Sequence, residues 1–286
     1  MANLKEIRTR ITSVASTMQI TSAMKMVSAA KLKRAQDAIT QMRPYAEKLR
    51  DVLMNVSESL DDSSESIYGQ KRPVKKVMLV AIASNRGLCG AFNSNIFKAT
   101  EKRIINYSKQ EVQVYPIGKR SVDYFTGKYP LFKSNVDIFG ELNYDNSEVL
   151  AQEVMNAFIA GEFDKIEVIY NEFKNAATQE VIVQNFVPVE SIDTDSSQST
   201  DYIFEPSTQD IIRDLIPKSL KIQFYKSLLD SHASEHGARM TAMHKATDNA
   251  EDLKSALKLT YNRQRQAAIT NEILEIVGGA EALKQS

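Results

Sequence analysis

Two histidines and a glutamate stand in a pattern that some metal sites use. His232, Glu235 and His236 match the HxxEH arrangement of certain zinc peptidases, and helical spacing puts both histidines on one face. A zinc site needs a third protein ligand and a supporting domain, whereas only fifty residues follow, in a helical pattern. Because short motifs often match by chance, the sequence favours an exposed helix face here.

A glycine turn could bind phosphate. Gly87-Leu88-Cys89-Gly90 follows an apolar run and precedes a helical segment, which is where α/β folds hold nucleotides. The turn lacks the third glycine of GxGxxG and the Lys-Ser/Thr pair of a P-loop. A structural turn is therefore favoured over a nucleotide site. Cys89 is a poor candidate nucleophile, since all three histidines lie far along the chain, after residue 230.

A nucleic-acid arm is the third chemical possibility. Basic residues cluster near the N-terminus, at Arg8, Arg10, Lys25, Lys31, Lys33 and Arg34. No aromatic residue that could stack on a base occurs in positions 1–44. A solvated helix face explains the cluster more simply.

Long helices must position these groups. Leu4, Ile7, Ile11, Val14 and Met18 begin a heptad stripe that extends over residues 2–58, although Pro44 predicts a bend or a local break. A second stripe continues from about Thr208 to the end, where Gly278-Gly279 fits a helix C-cap. Neither stripe can be buried within one helix, so we expect the two ends to pair.

The seam of this predicted pair is unusually weak. Towards the tips it consists largely of Ala, Thr, Gln, Asn and Ser, which release less hydrophobic free energy than Leu or Ile. The tip is therefore expected to lie inside another protein.

The centre predicts a small α/β layer. Strands are expected at Val77–Ala83, Val112–Ile117, Lys165–Tyr170 and Glu180–Val187, the last antiparallel because its connection is too short for a crossover. Helices are expected at Ala91–Tyr107 and Glu148–Ala160, with Ser147 as the N-cap of the latter. The predicted fold class is α/β, a long antiparallel coiled coil plus a small Rossmann-like domain with a mixed sheet. The expected boundaries are 1–60 and 207–286 for the paired helices and 73–206 for the α/β domain.

Charge and cysteine content limit the environment. Residues 1–60 hold ten Lys/Arg against five Asp/Glu, while the whole chain has no net charge, so the ends are basic and the centre is acidic. One cysteine excludes an internal disulfide. The segment MANLKEIRTRITS has no apolar core typical of a secretory signal, and no run of about 18 apolar residues occurs. A cytosolic protein is expected.

Five ordered sequence blocks resemble one family, the gamma subunit of F-type ATP synthase. They are NLKEIRTRI, QITSAMKMVSAAKL, SNRGLCGAFNSNI, SEHGARMTAMHKATDNAEDL and ITNEILEIVGGAEA, spread from residue 3 to residue 282. The resemblance is weak only at 58–72 and 190–200. The chain lacks the paired-cysteine insert found in the chloroplast members of this family, so regulation by thiol oxidation is not expected.

The resemblance implies a rotor shaft with no catalytic residues, cofactor or metal of its own. Its coiled coil would occupy the cavity of a head of three alpha and three beta subunits, and its α/β domain would contact the epsilon subunit and the ring of c subunits. Ion flow through the ring would turn the shaft and drive ATP synthesis or hydrolysis in the head. The chain would then be a peripheral membrane protein at the cytoplasmic face of a bacterial cell membrane, reaching it through the c-ring, with no nucleic-acid partner.

The resemblance also implies contact residues. Positions similar to those that meet the beta subunits or join the two helices are Met24, Lys25, Arg239, Arg265, Gln266, Thr270 and Glu272. Positions similar to those that meet the c-ring and epsilon are Tyr202, Phe204 and Glu205, with Phe204 standing where relatives often have tyrosine.

Two other classes of function remain open. A stand-alone α/β enzyme with a coiled-coil stalk would bind nucleotide near Gly87–Gly90. A basic coiled-coil binder of nucleic acid would show salt-sensitive DNA binding.

Overall fold

Two very long helices flank an α/β segment in the computed structural model, which describes residues 4–58, 68–69, 72–176, 178–189 and 208–284. In chain order the elements are α1 (Leu4–Glu58), β1 (Lys76–Ile82), α2 (Phe92–Asn106), β2 (Glu111–Ile117), α3 (Lys119–Phe125), α4 (Tyr144–Ile159), β3 (Lys165–Phe173), β4 (Gln179–Val187) and α5 (Thr208–Lys284). The chain divides into two compact units, Met1–Val27 with Met240–Ser286, and Ser28–Arg239. Both long helices contribute to each unit.

The first unit is an antiparallel helix pair. The hydroxyl oxygens of Thr21 and Thr247 are 2.8 Å apart, and one turn later Lys25 Nζ lies 3.4 Å from His244 Nδ1. Residue numbers therefore rise along α1 as they fall along α5, which makes the pair antiparallel. The small-residue seam expected from the sequence is present, since Thr21 and Ala250 are both buried.

The second unit is built on a four-stranded sheet in the order β2-β1-β3-β4. Strand β1 pairs in parallel with β2 and β3, and β4 runs antiparallel to β3. This is the mixed sheet predicted from the sequence, and it confirms the fold class. The loop after α3 pairs with the outer edge of β2 through two isolated β-bridges, Val114 with Leu131 and Ile117 with Asn135.

Both faces of β1 are buried, which explains its unbroken apolar sequence. Met78, Val80 and Ile82 point into one core with α4 and with Leu220, Phe224 and Leu228 of α5. Val77, Leu79 and Ala81 point into a second core with Ile96 and Phe97 of α2 and Phe125 of α3. Helices thus cover the sheet on both sides, as in other doubly wound folds.

Some local predictions were wrong. Helix α4 begins at Tyr144 with Asn143 as its N-cap, because the Asn143 carboxamide oxygen accepts from Asn146 N at 2.8 Å, while Ser147 is buried on the core face. The short helix α3 was not predicted. Pro44 lies within a continuous α1 and produces no break in it.

The glycine pair near the C-terminus also differs from expectation. Helix α5 continues through Gly278-Gly279 to Lys284, so these glycines do not cap it. None of the helices in the described residues has enough consecutive apolar sequence for a membrane span.

Candidate functional site

The glycine turn lies at the carboxyl end of β1, where a nucleotide would bind in many α/β proteins. Ser84 ties the turn together, since its hydroxyl donates to Arg86 O at 2.6 Å and its backbone N–H donates to the Asn93 side chain at 3.0 Å. Asn85 joins the turn to its neighbours by donating to Val136 O and accepting from Lys119 N, both at 2.8 Å. The turn is therefore fixed by its own polar side chains.

Helix α5 fills the crevice beside this turn. The Arg239 guanidinium donates through Nη2 to Arg86 O at 2.9 Å and to Gly87 O at 3.2 Å. Further along the helix, the Ser234 hydroxyl donates to Asn171 O at the end of β3, at 3.1 Å. A Cβ on Gly237 would lie 3.3 Å from the Ala176 backbone, so the helix passes close to the chain. The carbonyls of Arg86 and Gly87 accept hydrogen bonds from Arg239 of α5. This supports the interpretation of the GLCG motif as a structural turn.

Arg239 also carries a buried ion pair. Its Nη1 lies 2.6 Å from Glu235 Oε1, and both side chains are about 8% exposed. Burial raises the pKa of Glu235, and the positive charges of Arg239, Lys31 and Arg86 oppose that rise. Arg239, Glu235 and the glycine turn therefore form a buried charged cluster inside the unit Ser28–Arg239.

The two histidines of the HxxEH pattern are not on an exposed face, so that interpretation was wrong. His236 is 5% exposed, and its Nε2 lies 3.1 Å from His232 Nε2. Arg239 Nη1, which can only donate, lies 3.4 Å from His236 Nδ1, so we assign the proton of His236 to Nε2, from which it donates to His232. Burial lowers the pKa values of His232 and His236 to about 4 and about 3, with nearby Arg239 and Lys31 acting in the same direction.

This arrangement does not suit zinc. The facing nitrogens already share a hydrogen bond, and the neighbouring charges of Lys31 and Arg239 are positive. Within the described residues, no group of three or more His, Cys, Asp or Glu side chains could hold a metal ion. Cys89 is equally unsuited to nucleophilic chemistry, because burial raises the pKa of its thiol, which accepts from Asn93 Nδ2 at 3.2 Å.

The remaining candidate residues in the described part of the chain belong to the helix-pair unit. Met24 and Lys25 are half-buried on α1. Arg265, Gln266, Thr270 and Glu272 are exposed on α5, where the Thr270 hydroxyl donates to Gln266 O at 2.9 Å. Arg239 belongs to the other compact unit, and its side chain is buried. Tyr202, Phe204 and Glu205 lie outside the described residues.

The end of α5, the tip that the sequence predicted to lie inside another protein, has an exposed apolar surface. Continuing the register of the helix pair places Leu4 opposite about residue 264, so the rest of α5 extends past the first described residue of α1. Every side chain from 265 to 280 is exposed. Five of them are large and apolar, between 49% and 66% exposed: Ile269, Ile273, Leu274, Ile276 and Val277. Exposed apolar side chains grouped at one helix end are typical of an interaction surface.

A family model and the curated relatives of this chain carry the same description, ATP synthase. A family model described as ATP synthase matches residues 3–283. The ATP synthase gamma chain of Flavobacterium psychrophilum is 61% identical over 99% of this chain and all of the relative. The corresponding chain of Christiangramia forsetii is 57% identical over 99% of each.

Solved structures agree on the fold. A chain in the central stalk and c-ring of Tetrahymena thermophila mitochondrial ATP synthase superposes with a TM-score of 0.61 and 26% identity, covering 79% of this chain and 99% of that one. A chain from the OSCP/F1/c-ring structure of the Euglena gracilis mitochondrial enzyme gives a TM-score of 0.68 over 98% of this chain and 94% of that chain. Because the two sequences are only 19% identical, this similarity shows a shared fold and nothing more.

Proposed function

Because this chain belongs to the ATP synthase gamma-chain family, we propose that it is the central-stalk rotor subunit of an F-type ATP synthase. It couples rotation of the c-ring to ATP synthesis or hydrolysis in the head of alpha and beta subunits, and has no catalytic residues of its own. The structural observation that carries this function is the exposed apolar end of α5, residues 265–280. An exposed apolar surface of this kind is typical of a site that a partner covers.

The mechanism is a shift of conformational populations. A shaft that presents different residues to each beta subunit stabilises a different nucleotide state in each one, by its differential contact free energy. In this proposal residues 1–60 and 207–286 form the shaft and residues 73–206 form the foot. The basic charge of the ends favours a cavity lined by acidic loops.

The contact residues follow from the same proposal. On the shaft, the residues that meet the beta subunits or join the helices are Met24, Lys25, Arg265, Gln266, Thr270 and Glu272. Exposure of the last four leaves them free for such contacts. Arg239 acts from inside the fold by holding the glycine turn. Tyr202, Phe204 and Glu205 are proposed to meet epsilon and the c-ring.

Association with the membrane is peripheral in this proposal. The c-ring supplies the membrane contact, and the chain lies on the cytoplasmic face of the bacterial cell membrane. The rival enzyme function is disfavoured because α5 occupies the crevice at Gly87–Gly90.

Co-purification tests the rotor function. A tagged chain expressed in its own cells is expected to purify with alpha and beta subunits, at one copy per three alpha/beta pairs, together with epsilon and the c-ring. Quantitative mass spectrometry of the purified sample measures these ratios. Recovery of the chain alone, as a homodimer, would overturn the proposal.

A further inference from the structure

A histidine holds one of the cations of the helix pair. Lys25 Nζ on α1 lies 3.4 Å from Nδ1 of His244 on α5, and no carboxylate forms an ion pair with Lys25 in the described part of the chain. The same Nδ1 lies 3.3 Å from Asp248 Oδ1. Lys25 from α1 and Asp248 from α5 are the charged groups that contact this ring among the described residues. One ring nitrogen therefore stands between a cation and an anion.

The register of the helix pair produces this arrangement. The hydroxyl oxygens of Thr21 and Thr247 are 2.8 Å apart, and Thr21 is buried in the seam. Lys25 follows Thr21 by four residues on α1, and His244 precedes Thr247 by three on α5. Both side chains therefore lie one helical turn further along the same seam. Because Lys25 is half-buried there, its contact with His244 belongs to the packing of the pair.

The Nδ1 atom can serve only one of its two neighbours at a time. A lysine ammonium only donates hydrogen bonds, and an ionised aspartate only accepts them. Without a proton, Nδ1 accepts from Lys25. With a proton, Nδ1 donates to Asp248, and the positive ring repels the ammonium of Lys25. Histidine is the side chain that ordinarily changes charge between pH 5 and 8, so one proton decides whether Lys25 is held on α5.

We propose that His244 is a positioning residue whose protonation releases Lys25 from α5 towards an acidic group of the alpha/beta head. The inference rests on the proposed rotor function, which makes Lys25 a contact of the beta subunits. It adds a control by pH to that contact. Mild acid frees the cation and strengthens the contact between shaft and head, whereas alkaline conditions hold Lys25 on its own helix pair.

Two variants fix the charge at position 244. His244→Gln is uncharged at every pH, and His244→Arg is charged at every pH. The His244 side chain is 57% exposed, so both variants should melt within about a degree of the parent.

Acetylation of Lys25 in the full chain reports its release. Mass spectrometry measures the modified fraction relative to Lys258, an exposed lysine of the same helix pair. In the parent this ratio should rise about two- to fivefold from pH 8 to pH 6, the range expected for one exposed charge contact. It should stay low in His244→Gln and high in His244→Arg. A parent ratio that is independent of pH, or that changes equally in His244→Gln, would overturn the proposal.

Binding to the head tests the consequence of release. Labelled chain is titrated into the alpha/beta head at pH 8 and at pH 6. The dissociation constant of the parent, divided by that of His244→Gln at the same pH, should fall about two- to fivefold on acidification. In a Lys25→Met background this change should disappear, because no lysine remains to be released.

The outcomes separate the positioning role from the rotor function. A fall of the same size in the Lys25→Met background would show that the ring charge acts by itself, and would overturn the role given to His244. The absence of a fall in either background would overturn it as well. A chain that never binds alpha and beta subunits, whichever residue stands at position 244, would contradict the rotor function, and acetylation would still decide whether His244 positions Lys25.

Discussion

At the scale of single residues, the most informative groups are those that α5 buries against the glycine turn. Arg239, Glu235, His232 and His236 were first singled out for metal chemistry or for contact with a partner. The structure places them in one polar cluster, in which Arg239 contacts Glu235, His236 and the turn. Sequence spacing predicted their common helix. The spacing could not show that this face of the helix is buried, because polar residues usually lie on exposed surfaces.

Removing the Arg239 charge should destabilise the fold. Arg239→Met leaves Glu235 buried without its cation, leaves Gly87 O without its Arg239 donor, and removes one of the donors to Arg86 O, which keeps the Ser84 hydroxyl. Breaking a buried ion pair on one side typically costs about 3–5 kcal/mol of unfolding free energy. Urea unfolding followed by circular dichroism measures the loss. The double variant Arg239→Met with Glu235→Leu should recover part of it, and a single variant as stable as the parent would contradict the role given to the pair.

The histidine pair predicts acid sensitivity. Unfolded histidines titrate near 6.5, whereas burial holds the folded pKa values of His232 and His236 at about 4 and about 3. Between these limits the unfolded chain binds more protons, so the unfolding free energy falls as the pH decreases from about 6.5 towards 4. Each histidine contributes up to about 1.4 kcal/mol per pH unit.

The control for this prediction removes both titrating groups. His232→Leu with His236→Gln should show a shallower dependence of urea midpoint on pH over the same range. The raised pKa of Glu235 acts in the opposite direction and is common to both proteins, so it cancels in the comparison. Identical slopes for the parent and the double variant would count against neutral buried histidines.

At the scale of elements, the sequence predicted the long and strongly patterned segments best. The apolar run of β1 and the stripes of α1 and α5 were recognised because burial dictates their periodicity. Short segments were harder. Helix α3 has only seven residues and begins after Gly118, and the start of α4 depends on which polar residue caps it. Gly278-Gly279 failed as a stop signal because glycine lowers helix propensity without forbidding a helix.

Gly118 is the position where backbone geometry demands glycine. Its φ is 91°, and an added Cβ would lie 2.1 Å from Ala83 O, a backbone atom at the end of β1. Gly118→Ala should therefore displace the junction of β2 and α3 and give a misfolded chain. Gly127→Ala is the matched control, since its φ is 78° but nothing lies within 4 Å of the new methyl group. It should cost only about 1 kcal/mol. Thermal unfolding of both variants tests this, and equal melting temperatures would contradict it.

At the scale of the whole molecule, the family resemblance determined the function and the local chemistry did not. The enzyme alternative rested on a short motif and the nucleic-acid alternative on a cluster of basic residues. The structure assigns the GLCG motif to a turn packed against α5. The contact residues proposed on α5 rest on the matching sequence blocks alone, and their contacts stay a prediction. Their exposure was not predictable, because the register of the helix pair decides which residues extend past α1.

The end of α5 should matter for assembly and hardly at all for folding. Ile273→Asp places a charge in the exposed apolar patch, so the melting temperature of the isolated chain should stay within about a degree of the parent. Its affinity for the alpha/beta head should fall at least about tenfold. Asn271→Asp adds the same charge two residues away and is the control. Titration of labelled chain into the head measures both, and unaltered binding of Ile273→Asp would contradict the role of the patch.

The participation of α5 in the sheet core has a consequence for biosynthesis. Leu220, Phe224 and Leu228 complete the core formed by β1, β3 and α4, yet they are translated after β4, the last strand of the described sheet. A nascent chain that has reached β4 therefore exposes the part of this apolar core that α5 will cover, until α5 leaves the ribosome. Because such surfaces aggregate, we expect this chain to need chaperone protection late in synthesis, and its α/β layer to finish folding only after release.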